Sequence, residues 1–541
     1  MTHTYLTLDS VSYALPNGRT IFSNLSVQFD QRKTALIGRN GAGKSLLGKI
    51  IAGQLAATSG RSVQAARVFY LAQQITTPEH ACVAELAGVK APLDALARIE
   101  AGSVDPNDFD ALGERWSIRQ QLQAALSAKG LAHLDIDRPV ASLSGGEVMQ
   151  ICLIGAYLSE ADFLVLDEPS NHLDRHSRQV LLEQLKTWPG GLLVISHDRE
   201  LLSGMQRILE LSSLGLRDYG GDLAFYQQCK AQERDQAAAQ LAQCKHQRKR
   251  EEQQMQNLQA RVQRHNARAA QAASTANQAK ILLGRSKQRS ETSNGKLLKQ
   301  QAVQREQLAL GVKLAALQIE QAAVVSMPVP EVGRRHPKRL FELDRLELPF
   351  VMPAVRSMSL LLNSQQRVAV TGPNGSGKST LLRVLAGLQQ PLAGRCEINA
   401  AVAYLDQQLL GVDLEKSAFE HLRTVNTHGS ESELRTQLAQ IGLDAATAMQ
   451  SCALLSGGER LKVALACALY ADIPAQLLLL DEPSNHLDLE SVRALEHTLC
   501  EYRGALLVVS HDELFLQQLG LTDRLAVSAT GWTLSPWQAD Q

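Results

Sequence analysis

Short apolar runs recur along the chain, and each stops at a glycine or a polar residue. Thr34-Ala35-Leu36-Ile37 and Arg367-Val368-Ala369-Val370 read as buried parallel strands, because their apolar positions do not alternate with polar ones. Each runs into a glycine loop and then a helical stretch, Leu46–Ile51 or Leu381–Leu385. Phe163–Leu166 and Leu477–Leu480 are strands that end in paired carboxylates, and Val68–Leu71, Val402–Leu405, Leu192–Ile195 and Leu506–Val509 are strand-like as well. Between Gln227 and Val325 the pattern changes to Ala, Gln, Lys and Arg, with no proline before Pro328. Strong helix formers at that density predict long helices over 223–275 and 297–323, separated by glycine and serine from Gly284 to Gly295. The segment is expected to be an antiparallel helical hairpin with a mobile tip.

The two strand-rich parts are copies of one another. Gly38-Arg39-Asn40-Gly41-Ala42-Gly43-Lys44-Ser45 returns as Gly372-Pro373-Asn374-Gly375-Ser376-Gly377-Lys378-Ser379, and Leu143-Ser144-Gly145-Gly146-Glu147 returns as Leu455–Glu459. Asp167-Glu168-Pro169-Ser170-Asn171-His172-Leu173-Asp174 recurs letter for letter as Asp481–Asp488, and Ser196-His197-Asp198 recurs as Ser510-His511-Asp512. Lys44 to Lys378 and Gln73 to Gln407 are both 334 apart, Glu147 to Glu459 is 312, and Asp167 to Asp481 and His197 to His511 are both 314. The first copy therefore carries 22 extra residues within roughly 78–120, either a small surface insertion or ordinary drift in loop length. The domain limits that follow are 4–222, 223–337 and 338–541. The fold class is α/β, with two P-loop nucleotide-binding domains in tandem joined by a long helical hairpin.

Composition narrows the setting. At 541 residues the chain exceeds what one core supports, and 45% hydrophobic with 20% charged residues is ordinary for a globular protein. Formal net charge is zero, so any polyanion-binding surface must be local. No run approaches the ~20 apolar residues of a membrane helix. Met1–Leu6 lacks a signal-peptide pattern, and the eight cysteines form no C-x-x-C pair, so a reducing cytosol is expected.

The repeated residues suit ATP chemistry. Strand, glycine loop and helix are the context a P-loop requires, with backbone N–H groups and the helix N-terminus facing phosphates. Gly38, Asn40, Gly41 and Gly43 form the first loop, and Gly372, Asn374, Gly375, Gly377 and Thr380 belong to the second. Lys44 and Lys378 would neutralise the β/γ-phosphates, and Ser45 and Ser379 would ligate Mg²⁺. Asp167 and Asp481 would hold Mg²⁺ through water, and Glu168 and Glu482 would polarise the attacking water. Gln73 and Gln407, each after a strand, would sense Mg²⁺ and that water. His197 and His511 would bond a γ-phosphate oxygen.

In this order the motifs resemble those of ATP-binding cassette proteins. Two complete cassettes without a membrane domain, together with Asp-Glu-Pro-Ser-Asn-His-Leu-Asp, resemble the ABC-F family, which more often has Thr where Ser170 and Ser484 stand. The resemblance implies cassettes paired head to tail in an intramolecular dimer, the protein being a monomer. Ser456, Gly457 and Gly458 would cap the ATP held by Lys44, and Ser144, Gly145 and Gly146 the ATP held by Lys378. For adenine stacking, Phe350 is the candidate in the second copy, whereas the first offers Tyr13 nearby and Leu15 by alignment. The family's linker enters the tRNA exit site of the ribosome, where members act from rescuing stalled peptides to displacing antibiotics. That implies rRNA and tRNA as partners.

Charge in the linker agrees with an RNA partner. Between Lys245 and Lys299 there are thirteen Lys/Arg against Glu251, Glu252 and Glu291. A solvated helical face is the ordinary account of a charge run, but an excess of ten in a neutral protein favours phosphate contact. Few aromatics occur there, so backbone and shape recognition are expected rather than base stacking. Lys280, Arg285, Lys287 and Arg289 are the expected RNA contacts. Two rivals share the cassettes: the motor subunit of a membrane transporter, which leaves the basic linker without a role, and a DNA-organising ATPase, whose cassette would be split by a long coiled coil.

Overall fold

The computed structural model describes residues 4–73, 81–171, 173–275, 338–406, 411–485, 487–528 and 530–538, with Leu310, Val312 and Leu409. They group into two compact units, Met1–Ala224 with Val325–Gln541, and Phe225–Val324.

The first unit holds one layout twice. In the first copy a six-stranded sheet runs in the order Val68–Leu71, Phe163–Asp167, Gly191–Ile195, Lys33–Gly38, Arg207–Ser212, Gly215–Tyr219. The first five are parallel, and the last pairs antiparallel with its neighbour. Every residue of Phe163–Asp167 and Gly191–Ile195 is buried, as expected of parallel strands covered on both faces. The second copy repeats the order with Val402–Leu405, Leu477–Asp481, Ala505–Val509, Arg367–Thr371, Asp523–Ser528 and Gly531–Pro536. Register sets the chemistry: Leu71 pairs with Leu166, Asp167 with Ile195 and Leu36 with Ile195. The glutamine, the two acids, the histidine and the glycine loop thus leave four adjacent strands at one carboxyl edge, where open α/β sheets bind ligands.

A three-stranded antiparallel sheet flanks each copy, Thr20–Phe29, Leu6–Ala14 and Ser59–Gln64 in the first and Ser357–Asn363, Arg339–Glu347 and Ala393–Ile398 in the second. Helices lie between sheet and signature. The extra residues of the first copy fall among Val83–Leu86, Lys90–Glu100, Pro106–Leu112 and Ile118–Ala128, against Ala418–Val425, Glu431–Gln440 and Ala445–Ala448 in the second. These helices have a core of their own, in which Leu93, Leu96, Leu112, Ile118 and Leu122 pack with Ile151 and Ile154 of the signature helix. The extra length is folded structure rather than slack in a loop.

After the first copy one helix runs from Leu223 to Thr275, 53 residues and roughly 80 Å at 1.5 Å per residue. Its bounds are those the composition predicts for the first arm. The expected second arm, 297–323, lies outside the described residues except for Leu310 and Val312, which are helical. The expected tip, with Lys280, Arg285, Lys287 and Arg289, also lies outside them.

Candidate active site

Each glycine loop ends at a helix of eight residues, Lys44–Ile51 or Lys378–Leu385, with no side chain capping its first N–H groups. Those free donors and the dipole end are what an anion binds. Gly43 and Gly377, with φ of 93° and 95°, make the turn. A Cβ there would lie 2.5 Å from Ile21 Cγ2 in the first copy and 2.6 Å from Val351 Cγ2 in the second, so only glycine fits. The lysine ammonium groups fold back onto their loops: Lys44 Nζ donates to the Gly38 carbonyl at 2.7 Å, and Lys378 Nζ to that of Gly372 at 2.7 Å. Burial holds both below the ordinary lysine value, against the pull of Glu168 at Lys44 and of Glu482 at Lys378.

The first carboxylate of each pair is fixed by a tyrosine from the neighbouring strand. Tyr70 Oη donates to Asp167 Oδ2 at 3.2 Å, and Tyr404 Oη to Asp481 Oδ2 at 3.3 Å. Ser379 Oγ donates to Asp481 Oδ1 at 3.1 Å, while Asp167 Oδ1 is buried without a partner. The second carboxylates sit on strained backbone, with φ of 48° at Glu168 and 49° at Glu482. Left-handed non-glycine residues cost on the order of 1 kcal/mol and persist where the surroundings enforce them. Here the N–H of Glu168 is held by the Ile195 carbonyl at 2.7 Å and that of Glu482 by Val509 at 2.9 Å. Burial pushes the Glu168 carboxyl up to about 8, against Lys44, and the Glu482 carboxyl up to about 7, against the His511 N–H and Arg178.

Both ring nitrogens of His197 are buried without a partner, and burial together with Lys44 pushes the imidazole down to about 3. Burial disfavours the charged form of both His197 and Glu168, so their 3.8 Å approach is not that of a strong ion pair. His511 Nε2 lies 3.1 Å from Asn374 Oδ1, and burial, Lys378 and Arg178 push that ring down to about 4.

Two cavities collect these residues. One of about 760 Å³ is lined by Asn40, Gly41, Gly43, Lys44, Ser45, Gln73, Asp167, Glu168 and His197 of the first copy and by Gly457, Arg460 and Leu461 of the second. The other, about 380 Å³, is lined by Asn374, Gly375, Gly377, Lys378, Ser379, Thr380, Asp481, Glu482 and His511, with Leu173 and Arg178 of the first copy. Gly38 and Gly372 stand behind them as carbonyl acceptors for the lysines. Ser456 and Gly458 flank Gly457 without lining the first cavity, and Ser144, Gly145 and Gly146 do not line the second. The Ser144 and Ser456 hydroxyls instead donate to Glu147 and Glu459 at 2.8 Å, inside capping boxes. Gln407 lies outside the described residues. Phe350 borders the second cavity and is 91% exposed, whereas Tyr13 packs against Phe22 with ring centres 6.1 Å apart.

Sequence reasoning missed several participants. Tyr70 and Tyr404 were legible only as strand residues, although their equal spacing marks them as equivalent. Asp488 accepts from the Asn40 backbone N–H and lies near Lys44 and His197, and Asp174 faces Lys378 and His511, so each copy reaches into the other's site. Arg178 carried no motif at all.

The donor set fits a nucleotide with a hard cation. A free helix N-terminus, a lysine and the one N–H of a neutral, unpartnered His197 ring suit phosphate oxygens, and Ser45 with the unpartnered Asp167 Oδ1 offers oxygen ligands of the kind Mg²⁺ takes. Among the described residues no three His, Cys, Asp or Glu gather to hold an ion alone, so it would be shared with phosphate.

Comparison with known proteins points the same way. The family model described as ABC transporter matches residues 22–171 and 355–485. The energy-dependent translational throttle protein EttA of Mycobacterium tuberculosis is 31% identical over 513 residues, covering 90% of this chain and 85% of that protein. Human ATP-binding cassette sub-family F member 3 is 29% identical over 511 residues, covering 90% and 66%. The solved structure of RNase-L Inhibitor aligns over 98% of this chain and 90% of its own with a TM-score of 0.55 at 18% identity, a likeness of fold alone.

Proposed function

This chain belongs to the ABC-F family of ATP-binding cassette ATPases, and on that premise we propose that it couples ATP hydrolysis to binding and release of the ribosome. It binds and hydrolyses ATP with two nucleotide-binding domains in tandem. The observation that carries the coupling is the first cavity, whose walls come from the glycine loop of one cassette and the signature of the other. A nucleotide there bridges both cassettes, so its binding favours closure and its loss favours opening.

Within each site the lysine leaves its loop carbonyls for the β/γ-phosphates, and the helix N-terminus holds them. Mg²⁺, bound between Ser45 and Asp167 or Ser379 and Asp481, would neutralise charge developing on the phosphates. Tyr70 and Tyr404 keep those aspartates oriented. Glu168 and Glu482, turned into the cavities by their strained backbone, take up hydrogen bonding to the attacking water. Gln73 stands at the same sheet edge to orient it, and Gln407 is assigned the same role from sequence alone. His197 and His511, neutral through burial, donate to a γ-phosphate oxygen from Nε2.

The ribosome follows from the linker charge and from the translational role that EttA's name states for that relative. Entry into the tRNA exit site, contact with rRNA and tRNA through Lys280, Arg285, Lys287 and Arg289, and relief of stalled or antibiotic-blocked ribosomes extend the same reading. Among the described residues no helix is long and apolar enough to cross a membrane. The protein carrying Glu168→Gln and Glu482→Gln together should co-sediment with ribosomes in ATP and slow translation. Sedimentation free of ribosomes, or co-purification with a membrane complex, would overturn the ribosomal reading.

A further inference from the structure

The two ATP sites look alike in sequence, but the structure gives them different neighbours. Arg178 stands in the helix Arg175–Thr187 that follows Asp174, 8% exposed, and it lines the second cavity with Lys378, Glu482 and His511. Its Nη1 donates to the His511 carbonyl at 3.3 Å and lies 3.2 Å from Asp198 Oδ2, while its Nε is buried without a partner. The peptide it grips carries two contacts of the second site. The His511 N–H donates to Glu482 Oε2 at 3.3 Å, and the His511 ring meets Asn374 at 3.1 Å. A guanidinium on that carbonyl fixes the loop from behind, which a flexible or apolar side chain cannot do.

The first site has no such group among the described residues. The spacing from the paired acids to the histidine is the same in both copies, so the residue equivalent to Arg178 is Val492, apolar and 4% exposed. The first cavity is bordered instead by Arg460 from the opposing signature helix, whose equivalent in the first signature is Val148. Each site thus receives one arginine from the other cassette, from a different element. Two ion pairs between the cassettes are one-sided as well: Arg175 pairs with Glu513 at 3.1 Å and Arg199 with Glu496 at 2.7 Å, the arginine coming from the first cassette each time.

We propose that Arg178 is a positioning residue supplied by the first cassette to the second ATP site, acting through His511, and that the two sites turn over ATP unequally because of it. The inference rests on Glu168 and Glu482 as the groups whose removal silences each site separately. In a Glu168→Gln background only the second site turns over, and in a Glu482→Gln background only the first. Arg178→Val should lower kcat about tenfold in the former, with a much smaller change in KM, and several-fold less in the latter. Arg178→Gln, nearer in shape, should give the same split if the valine variant folds poorly, and Arg178→Lys should recover part of the loss. Equal losses in both backgrounds, as mere interface glue would give, or no loss in either, would overturn the assignment. Turnover that survives in the Glu168→Gln, Glu482→Gln protein would sink the reading of the glutamates instead.

Discussion

Glu168 and Glu482 combine a left-handed backbone with a buried carboxyl, and both features cost stability to aim one side chain at a cavity. Their folded-state values, about 8 and about 7, lie above the ordinary 4.5. The penalty for ionising them is therefore absent below about pH 4.5 and grows as pH rises through those values. Glu168→Gln and Glu482→Gln should each raise the unfolding midpoint of the nucleotide-free protein by a few degrees at about pH 8.5, and far less at about pH 5. A gain that does not depend on pH would mean that the carboxyls are not held neutral. Tyr404 offers a second test at this scale. Tyr404→Phe leaves Asp481 held by Ser379 alone, so in the Glu168→Gln background the Mg²⁺ needed for half-maximal hydrolysis should rise about tenfold. The motif residues were legible because they repeat at fixed offsets. Tyr404 was not, because the carboxylate it holds is 77 residues away and only strand pairing brings them together.

Among the elements, the parallel strands were readable because burial on both faces removes polar positions from them. The signature helices were read only as anion sites, yet Ser-Gly-Gly-Glu is also a capping box, and the structure uses it as one. The Ser456 oxygen caps the helix by accepting from the Glu459 N–H, while its proton goes to Glu459 Oε2, and that proton cannot go to the carboxylate and to phosphate at once. Ser456→Gly separates the two roles, since glycine at an N-cap costs only a few tenths of a kcal/mol whereas alanine costs about 1. If the hydroxyl turns to phosphate on closure, Ser456→Gly weakens ATP binding while the unfolding midpoint barely moves. Unchanged ATP affinity would leave the hydroxyl a cap alone. The one-sided ion pairs were beyond sequence reading, because neither partner repeats. Arg199 and Glu496 are each 11% exposed as side chains. Removing either alone leaves a buried charge and costs about 3 kcal/mol, while Arg199→Met with Glu496→Leu together should recover most of it. Additive losses in unfolding measurements would show that the pair is not coupled.

Over the whole molecule, zero net charge conceals a separation: 245–299 keeps an excess of ten positive charges, and the rest of the chain a matching excess of ten acids. Lys230 with Glu233 and Arg248 with Glu252 form pairs along the long helix, but Glu251 and Glu252 are the last acids before Glu291. The arginines beyond them have no acid within a helical turn or two in sequence to neutralise them. A surface of that kind binds polyanions by releasing counterions, so its signature is a salt slope rather than a single affinity. On the proposed function, salt would set how tightly the linker holds the ribosome. With Glu168→Gln and Glu482→Gln keeping the cassettes closed, replacing Lys280, Arg285, Lys287 and Arg289 by glutamine removes four cations from the interface. The plot of log association with ribosomes against log salt should then become shallower by about 3, at roughly 0.7 to 0.9 for each phosphate that is no longer neutralised. Ribosome co-sedimentation across a salt series measures that slope directly. An unchanged slope would mean that these side chains face solvent in the complex and that the cassettes themselves hold the ribosome.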